Sequence, residues 1–356
     1  MNLRGNKGEW SELYAFFKLL ADGRLYSGDG KLNIYRERYT PILQIFRNDA
    51  ADRTAYTVAE DKINILPAGK TESIYISRKI FCEQAKELLD KIEKMHGTNE
   101  LAYLEPFMNE IHCNSVKAKS DDKADIRIVI HDLKTGMTPE LGYSIKSKLG
   151  GSSTLINANK NESNFIYRLD GMTDETAARF NSSDRFKNGF KAAEDAGVKV
   201  SFVSAAGDAL RFNLTMLDTG IERIIAEELL LYYKGAASSI EDVTNLVSKS
   251  NPLMLEYEPK QRIYSYKVKQ FLLAFALGMT VSTVWEGKFN ANGGYIVVKE
   301  DGDIVCYHFF DRNELEDYLY CNTKFDTPST GKHKFGFVYK EDGSFFVKLN
   351  LQVRFI

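Results

Sequence analysis

Cysteine is sparse in this sequence: Cys82, Cys113, Cys306 and Cys321 lie far apart and form no CxxC pair. That spacing argues against a zinc site and for a reducing, cytoplasmic compartment. Neither sign of charge is in excess, since 47 Lys and Arg face 49 Asp and Glu. A basic surface over the whole molecule is therefore not the partner signal, and any nucleic-acid contact needs a local basic cleft. Long apolar runs are also missing. The most apolar stretch, Phe271 to Met279, follows Lys269-Gln270 and is too short to span a bilayer. The opening Met1-Asn2-Leu3-Arg4-Gly5-Asn6-Lys7-Gly8 is polar and does not read as a signal peptide. No internal repeat or low-complexity segment is evident, and no membrane partner is expected.

The chain is long enough to bury a large core, in one or two domains. Residues 8–21 predict an amphipathic helix with Trp10, Leu13, Phe16, Phe17 and Leu20 on its apolar side. Glu9 and Glu12 fall on neighbouring positions of one face. A Gly- and Asp-rich loop is expected over 22–30, then short strands up to Ile76. Ser77 is expected to cap a helix running to about Met95, with Ile80, Phe81, Leu88, Leu89 and Ile92 inward. A basic, polar linker follows from Val116 to Lys123. Farther on, strands are expected at 165–169 and 198–203. Helices are expected at 174–180, 184–195, 208–233, 240–247 and 262–277. Past Gly293-Gly294 strands dominate, so the expected division is a helix-rich region over 1–290 and a β-rich lobe over 291–356, possibly on the same core.

The most informative stretch is 124–164. Ala124-Asp125-Ile126-Arg127-Ile128-Val129-Ile130 and Leu141-Gly142-Tyr143-Ser144-Ile145-Lys146-Ser147-Lys148 both alternate apolar with polar residues. They predict an antiparallel hairpin over 124–148 turning at Thr135-Gly136, with Asp125 opposite Lys146. Ile126, Ile128, Ile130, Tyr143 and Ile145 would share the buried face, and Asp125, Ser144 and Lys146 the other. Such a pair is either a plain cross-strand ion pair or the start of a metal-dependent phosphodiester-cleaving site. In the second case Asp125 would be a Mg²⁺ ligand, because a hard cation prefers oxygen donors. Lys146 would stabilise charge beside the scissile phosphate. The residue two before the lysine, usually a second carboxylate in such sites, is Ser144. Glu12 is the preferred replacement, with Glu9 second and Glu162 third.

These segments carry a resemblance. Gly142-Tyr143-Ser144-Ile145-Lys146-Ser147, then Leu149-Gly150, Ser153-Thr154-Leu155-Ile156-Asn157-Ala158 and Ser163-Asn164-Phe165 are similar to the HpaII family of type II restriction endonucleases. So are Asn6-Lys7-Gly8-Glu9-Trp10-Ser11-Glu12-Leu13-Tyr14 and Asp125 through Asp132. The resemblance implies an α+β fold with a PD-(D/E)XK nuclease core, a mixed central sheet flanked by helices. It also implies Mg²⁺-dependent cleavage of double-stranded DNA at a CCGG palindrome. Asp125, Ser144 and Lys146 then take the catalytic positions, with Glu12 as the helix carboxylate and, with Asp125, a metal ligand.

For DNA contact, the small polar residues after the catalytic strand suit phosphate and base edges, and Ser153, Thr154, Asn157 and Asn164 are candidates. Lys148 joins them from the strand itself. Guanine readout calls for Arg or Lys. Arg36, with Arg38 about Glu37, and Arg185, with Lys187 and Lys191, are comparable choices. A palindromic site favours a homodimer on DNA. The competing expectation is a catalytically inactive DNA-binding protein on the same fold, with Ser144 marking the lost activity.

Overall fold

The computed structural model describes residues 3–49, 52–117, 124–182 and 186–356. Contacts gather into two compact units: Met1–Ser153 with Asn290–Tyr318, and Thr154–Phe289 with Leu319–Ile356. Both mix helices and sheets, as the α+β expectation requires.

In the first unit, helix Lys7–Asp22 starts where a capping box forms. The Glu9 N–H donates to Asn6 Oδ1 at 3.1 Å, and the Asn6 N–H donates to Glu9 Oε2 at 2.9 Å. It stops at Gly23, whose φ of 61° suits a residue without Cβ. Trp10, Leu13, Phe16, Phe17 and Leu20 are all buried. Phe17 meets Phe81 of helix Arg78–Glu93 edge-on at 6.2 Å, and Ser77 caps that helix through the Lys79 N–H. Phe81, Leu88 and Ile92 point inward as expected, whereas Ile80 stands exposed.

Against these helices lies a nine-stranded mixed sheet. Its order is Arg24–Gly28, Ile304–His308, Gly294–Val298, Glu140–Ser147, Ile126–Ile130, Ile34–Asp49, Asp52–Val58, Lys62–Leu66, Ile74–Ser77. Arg24–Gly28 pairs with Ile34–Asp49 as well as with Ile304–His308, so part of the sheet closes on itself like a barrel. That pairing corrects the expected loop over 22–30. A partner from residues 34–41 and the burial of Leu25 draw Arg24–Gly28 into a strand despite its Gly-rich flanks.

The hairpin forms in a register two residues away from the expected one. Ile126 faces Tyr143 and Ile128 faces Leu141, and the Asp125 N–H donates to the Tyr143 carbonyl at 2.8 Å. Asp125 thus sits beside Ser144, not opposite Lys146. The turn sets this register: Asp132 accepts from the Lys134 N–H and the Thr135 hydroxyl, and Gly136 takes a φ of 71°. Because side chains alternate with period two, a two-residue shift keeps every side chain on its face.

The stretch 291–356 is shared between the units instead of forming a lobe of its own. Gly294–Val298 runs parallel to Glu140–Ser147, with Tyr295 beside Ser144 and Val297 beside Lys146. In the second unit, Ser344–Asn350 pairs with Asn164–Asp170, and Val353–Phe355 pairs with Thr154–Ile156. Local composition reports strand formers, but not the distant partner each one finds.

The expected helix over 208–233 is two helices, Asp208–Leu217 and Ile221–Tyr233. Asp218 between them is extended, its carboxylate accepts the Gly220 N–H at 2.8 Å and it pairs with Lys267. A short Asp side chain competing for backbone donors is a common helix breaker. Among the described residues, no helix is long and apolar enough to cross a membrane.

Candidate active site

Helix Lys7–Asp22 and strand Glu140–Ser147 bring their polar faces to one open cleft of about 650 Å³ in the first unit. Its charged lining is Lys7, Glu12, Lys117, Asp125 and Lys146, with Gly150, Gly151 and Ser153 at its edge. Three side chains form a chain of hydrogen bonds. Lys146 Nζ donates to Ser144 Oγ at 3.0 Å, and Ser144 Oγ donates to Asp125 Oδ2 at 3.0 Å. The Ile145 N–H also donates to Asp125 Oδ2, at 2.8 Å. Asp125 Oδ1 takes no hydrogen bond among the described residues. Ser144, buried in the sheet, therefore ties the lysine to the aspartate.

The electrostatics match the crowding. Burial, then the like charge of Asp125, pushes the Glu12 carboxyl up to about 7, while Lys117, Lys146 and Arg47 pull the other way. Burial lowers the Lys146 amine, opposed by the attraction of Asp125 and Glu12. The amine also lies over the Tyr295 ring, 5.4 Å from its centroid, so an aromatic face shares its charge. Two mutually repelling carboxylates beside an amine form a site suited to a hard divalent cation and to an anionic substrate.

The model of the HpaII restriction endonuclease family matches residues 6–355. The type II restriction enzyme HpaII of Haemophilus parainfluenzae is 42% identical over 99% of this chain and 98% of its own length. The chain belongs to the HpaII restriction endonuclease family. It is accordingly an enzyme of the type II site-specific deoxyribonuclease class. A search of solved structures returned no match.

Within this HpaII-family chain, Glu12, Asp125, Lys146 and Ser153 line one cleft, and Ser144 bridges Lys146 and Asp125. Glu9, the second choice for the added carboxylate, is spent on the helix cap. Glu162, the third, lies in the second unit against Gly207. Among the described residues no group of three acidic, His or Cys side chains is poised to hold a metal, so Glu12 and Asp125 are the carboxylates of the cleft.

The DNA candidates are less unified. Lys148 directly follows strand Glu140–Ser147, its N–H donating to the Val298 carbonyl at 2.9 Å. Thr154, Asn157 and Asn164 belong to the second unit. Thr154 is half-buried and Asn157 exposed. Asn164 is a correction: it is buried, its amide donating to the Lys160 carbonyl and accepting from Asn350, so it is committed to the interior. Arg185 lies outside the described residues. Arg36 and Arg38 are not clamped by Glu37. Arg36 pairs with Asp303 at 2.5 Å and Arg38 with Glu314 at 3.4 Å, because alternation along the strand sends Glu37 to the other face.

Sequence reasoning missed Lys117 and Arg47. Lys117 belongs to the basic linker, but no spacing ties it to the hairpin. Arg47 gives no signal at all, since its importance comes from burial.

Proposed function

We propose that this protein is a restriction endonuclease of the PD-(D/E)XK type that hydrolyses phosphodiester bonds in double-stranded DNA at a short palindrome, CCGG, with Mg²⁺. The observation that carries the reading is the Lys146–Ser144–Asp125 chain facing Glu12 across one cleft. The 42% identical relative, the type II restriction enzyme HpaII, supports the choice of reaction. The mixed sheet with helices against it is compatible with the nuclease core.

The donor set fits Mg²⁺. Glu12 and Asp125 offer hard oxygen ligands, and Mg²⁺ characteristically keeps several waters, so two carboxylates suffice. Burial, and after it the like charge of Asp125, raises the Glu12 carboxyl, and a cation bound there would offset the second of these. When bound there, the cation supplies an activated water and charge neutralisation at the phosphate. The chain's own residues do the rest. Lys146 stabilises the charge that builds on the phosphoryl oxygens and orients the attacking water. Ser144 holds the Lys146 amine and the Asp125 carboxylate in fixed relation, and the cleft edge at Gly150, Gly151 and Ser153 leaves room for a DNA strand. Two copies on DNA would present the same surface to each half of the palindrome.

Incubation with duplex DNA of known sequence and Mg²⁺ should yield fragments that all end at one tetranucleotide. A ladder without a shared sequence would sink the site-specific reading, and uncut DNA under every divalent cation would sink the nuclease reading. Asp125→Ala and Lys146→Ala should abolish cleavage while circular dichroism stays that of the wild type. Cutting by either pure variant would reject its role.

A further inference from the structure

With Ser144 where such sites carry an acid, the cleft holds two carboxylates and, at its rim, a cation outside the hairpin. We propose that Lys117 is a substrate-binding residue of the active cleft, its amine taking a backbone phosphate oxygen of the DNA strand beside the bond to be cut. This rests on the nuclease reading above and extends it to a residue that neither the motif nor the hairpin supplies.

Lys117 lines the same cleft as Glu12, Asp125 and Lys146, and it makes no ion pair among the described residues. By formal charge, the lining sets two carboxylates, Glu12 and Asp125, against three amines, Lys7, Lys117 and Lys146. Lys117 is what turns the balance in favour of a polyanion, in a protein whose total charge of −2 offers no general attraction to DNA.

The backbone is held firmly just where this lysine leaves it. Arg47, buried in the first unit, donates from Nη2 to the carbonyls of Ser115 at 2.6 Å and Val116 at 2.8 Å. The Ser115 hydroxyl donates to the Lys117 carbonyl at 2.7 Å, and Val116 is buried against Gly5. The Arg47 guanidinium in turn lies over the Phe16 ring at 5.3 Å, on the helix that carries Glu12. A buried guanidinium is costly unless its donors find acceptors, and these two carbonyls serve its Nη2. These bonds fix the root of Lys117 relative to Glu12, which lowers the entropy lost when the side chain closes on a phosphate. Arg47 is thus a positioning residue for Lys117.

The test is DNA binding in EDTA, where binding is read apart from cleavage. Dissociation constants for a CCGG duplex are measured between about 50 and 200 mM salt for wild type, Lys117→Met, Lys117→Arg and Lys79→Met. Lys79 is an exposed helix residue paired with Glu83 and serves as the background substitution. Lys117→Met should make the log–log salt slope shallower by about 0.9, the signature of one lost phosphate contact. Lys117→Arg should restore the slope, and Lys79→Met should leave it unchanged. With Mg²⁺ added, the single-turnover rate of Lys117→Met should fall about tenfold or more, as for a transition-state interaction of at least about 1.4 kcal/mol. A wild-type slope in a correctly folded Lys117→Met protein would overturn the assignment of Lys117 while leaving the nuclease reading intact. A wild-type protein that neither binds nor cuts the duplex would overturn both.

Discussion

Replacing Glu12 by Gln should cripple cleavage and, at the same time, stabilise the metal-free protein at alkaline pH. Glu12 is half-buried between Ser11 and Leu13, which are in the core, and its carboxyl is raised from 4.5 to about 7 by burial and by Asp125. A raised carboxyl binds its proton more tightly in the folded state than in the unfolded chain. Its contribution to stability is therefore complete below pH 4.5 and is lost as pH rises through about 7, after which the loss is constant. At about 1.4 kcal/mol per unit, the wild-type protein forgoes up to about 3 kcal/mol above pH 7. Glutamine stays neutral and escapes this loss. Urea unfolding in EDTA should thus give nearly equal stabilities at pH 4 and a Glu12→Gln advantage of about 2–3 kcal/mol at pH 8. Trp10, fully buried two residues before Glu12, reports the transition of the first unit by fluorescence, with Trp285 changed to Phe. Adding Mg²⁺ should stabilise wild type more than the variant, because a ligand that binds only the folded state shifts the equilibrium by mass action. A Glu12→Gln protein that is less stable than wild type at pH 8, or whose advantage does not change with pH, would refute the reasoning. Unaltered cleavage across a Mg²⁺ titration would show that Glu12 is not a ligand.

Two further outcomes follow from the same kind of accounting. Ser144→Ala removes the acceptor of Lys146 and one donor to Asp125, hydrogen bonds to charged groups that are each worth about 1.5–3 kcal/mol. Single-turnover cleavage should drop about ten- to a hundredfold while DNA affinity holds, and an unchanged rate would remove Ser144 from the machinery. Glu228, fully buried in the second unit, accepts from the Thr244 hydroxyl at 2.7 Å, and burial pushes its carboxyl up to about 8. Glu228→Gln should therefore gain stability relative to wild type as pH rises from 5 to 9, by denaturant midpoint, and a parallel pair of pH profiles would reject a titrating Glu228.

Much of the site is local enough to be read directly. Helix Lys7–Asp22 follows from Asn6, Gly23 and an apolar periodicity, which also sets the face on which Glu12 lies. The faces of the hairpin follow from alternation, which is why a register displaced by two residues still left Asp125, Ser144 and Lys146 together. The failures have different causes. Asn164 looks like a loop residue suited to DNA because Asn is polar, but its amide bonds are made to Lys160 and Asn350, the latter far away in sequence. Arg36 and Arg38 look like a clamp about Glu37, but strand geometry gives them partners on a distant helix and turn.

By itself, then, the sequence determined the elements, the apolar faces, the candidate residues on the hairpin and first helix, and the family. Each depends on spacing along a few residues or on similarity along the whole chain. The tertiary structure alone decided which strands lie beside the hairpin, that Glu12 and neither Glu9 nor Glu162 joins Asp125 in the cleft, and that Lys117 lines that cleft on a backbone held by Arg47. Those depend on contacts between residues dozens or hundreds of positions apart, and on burial, which sets the charge state of Glu12 and Lys146 and is not a property of any local stretch.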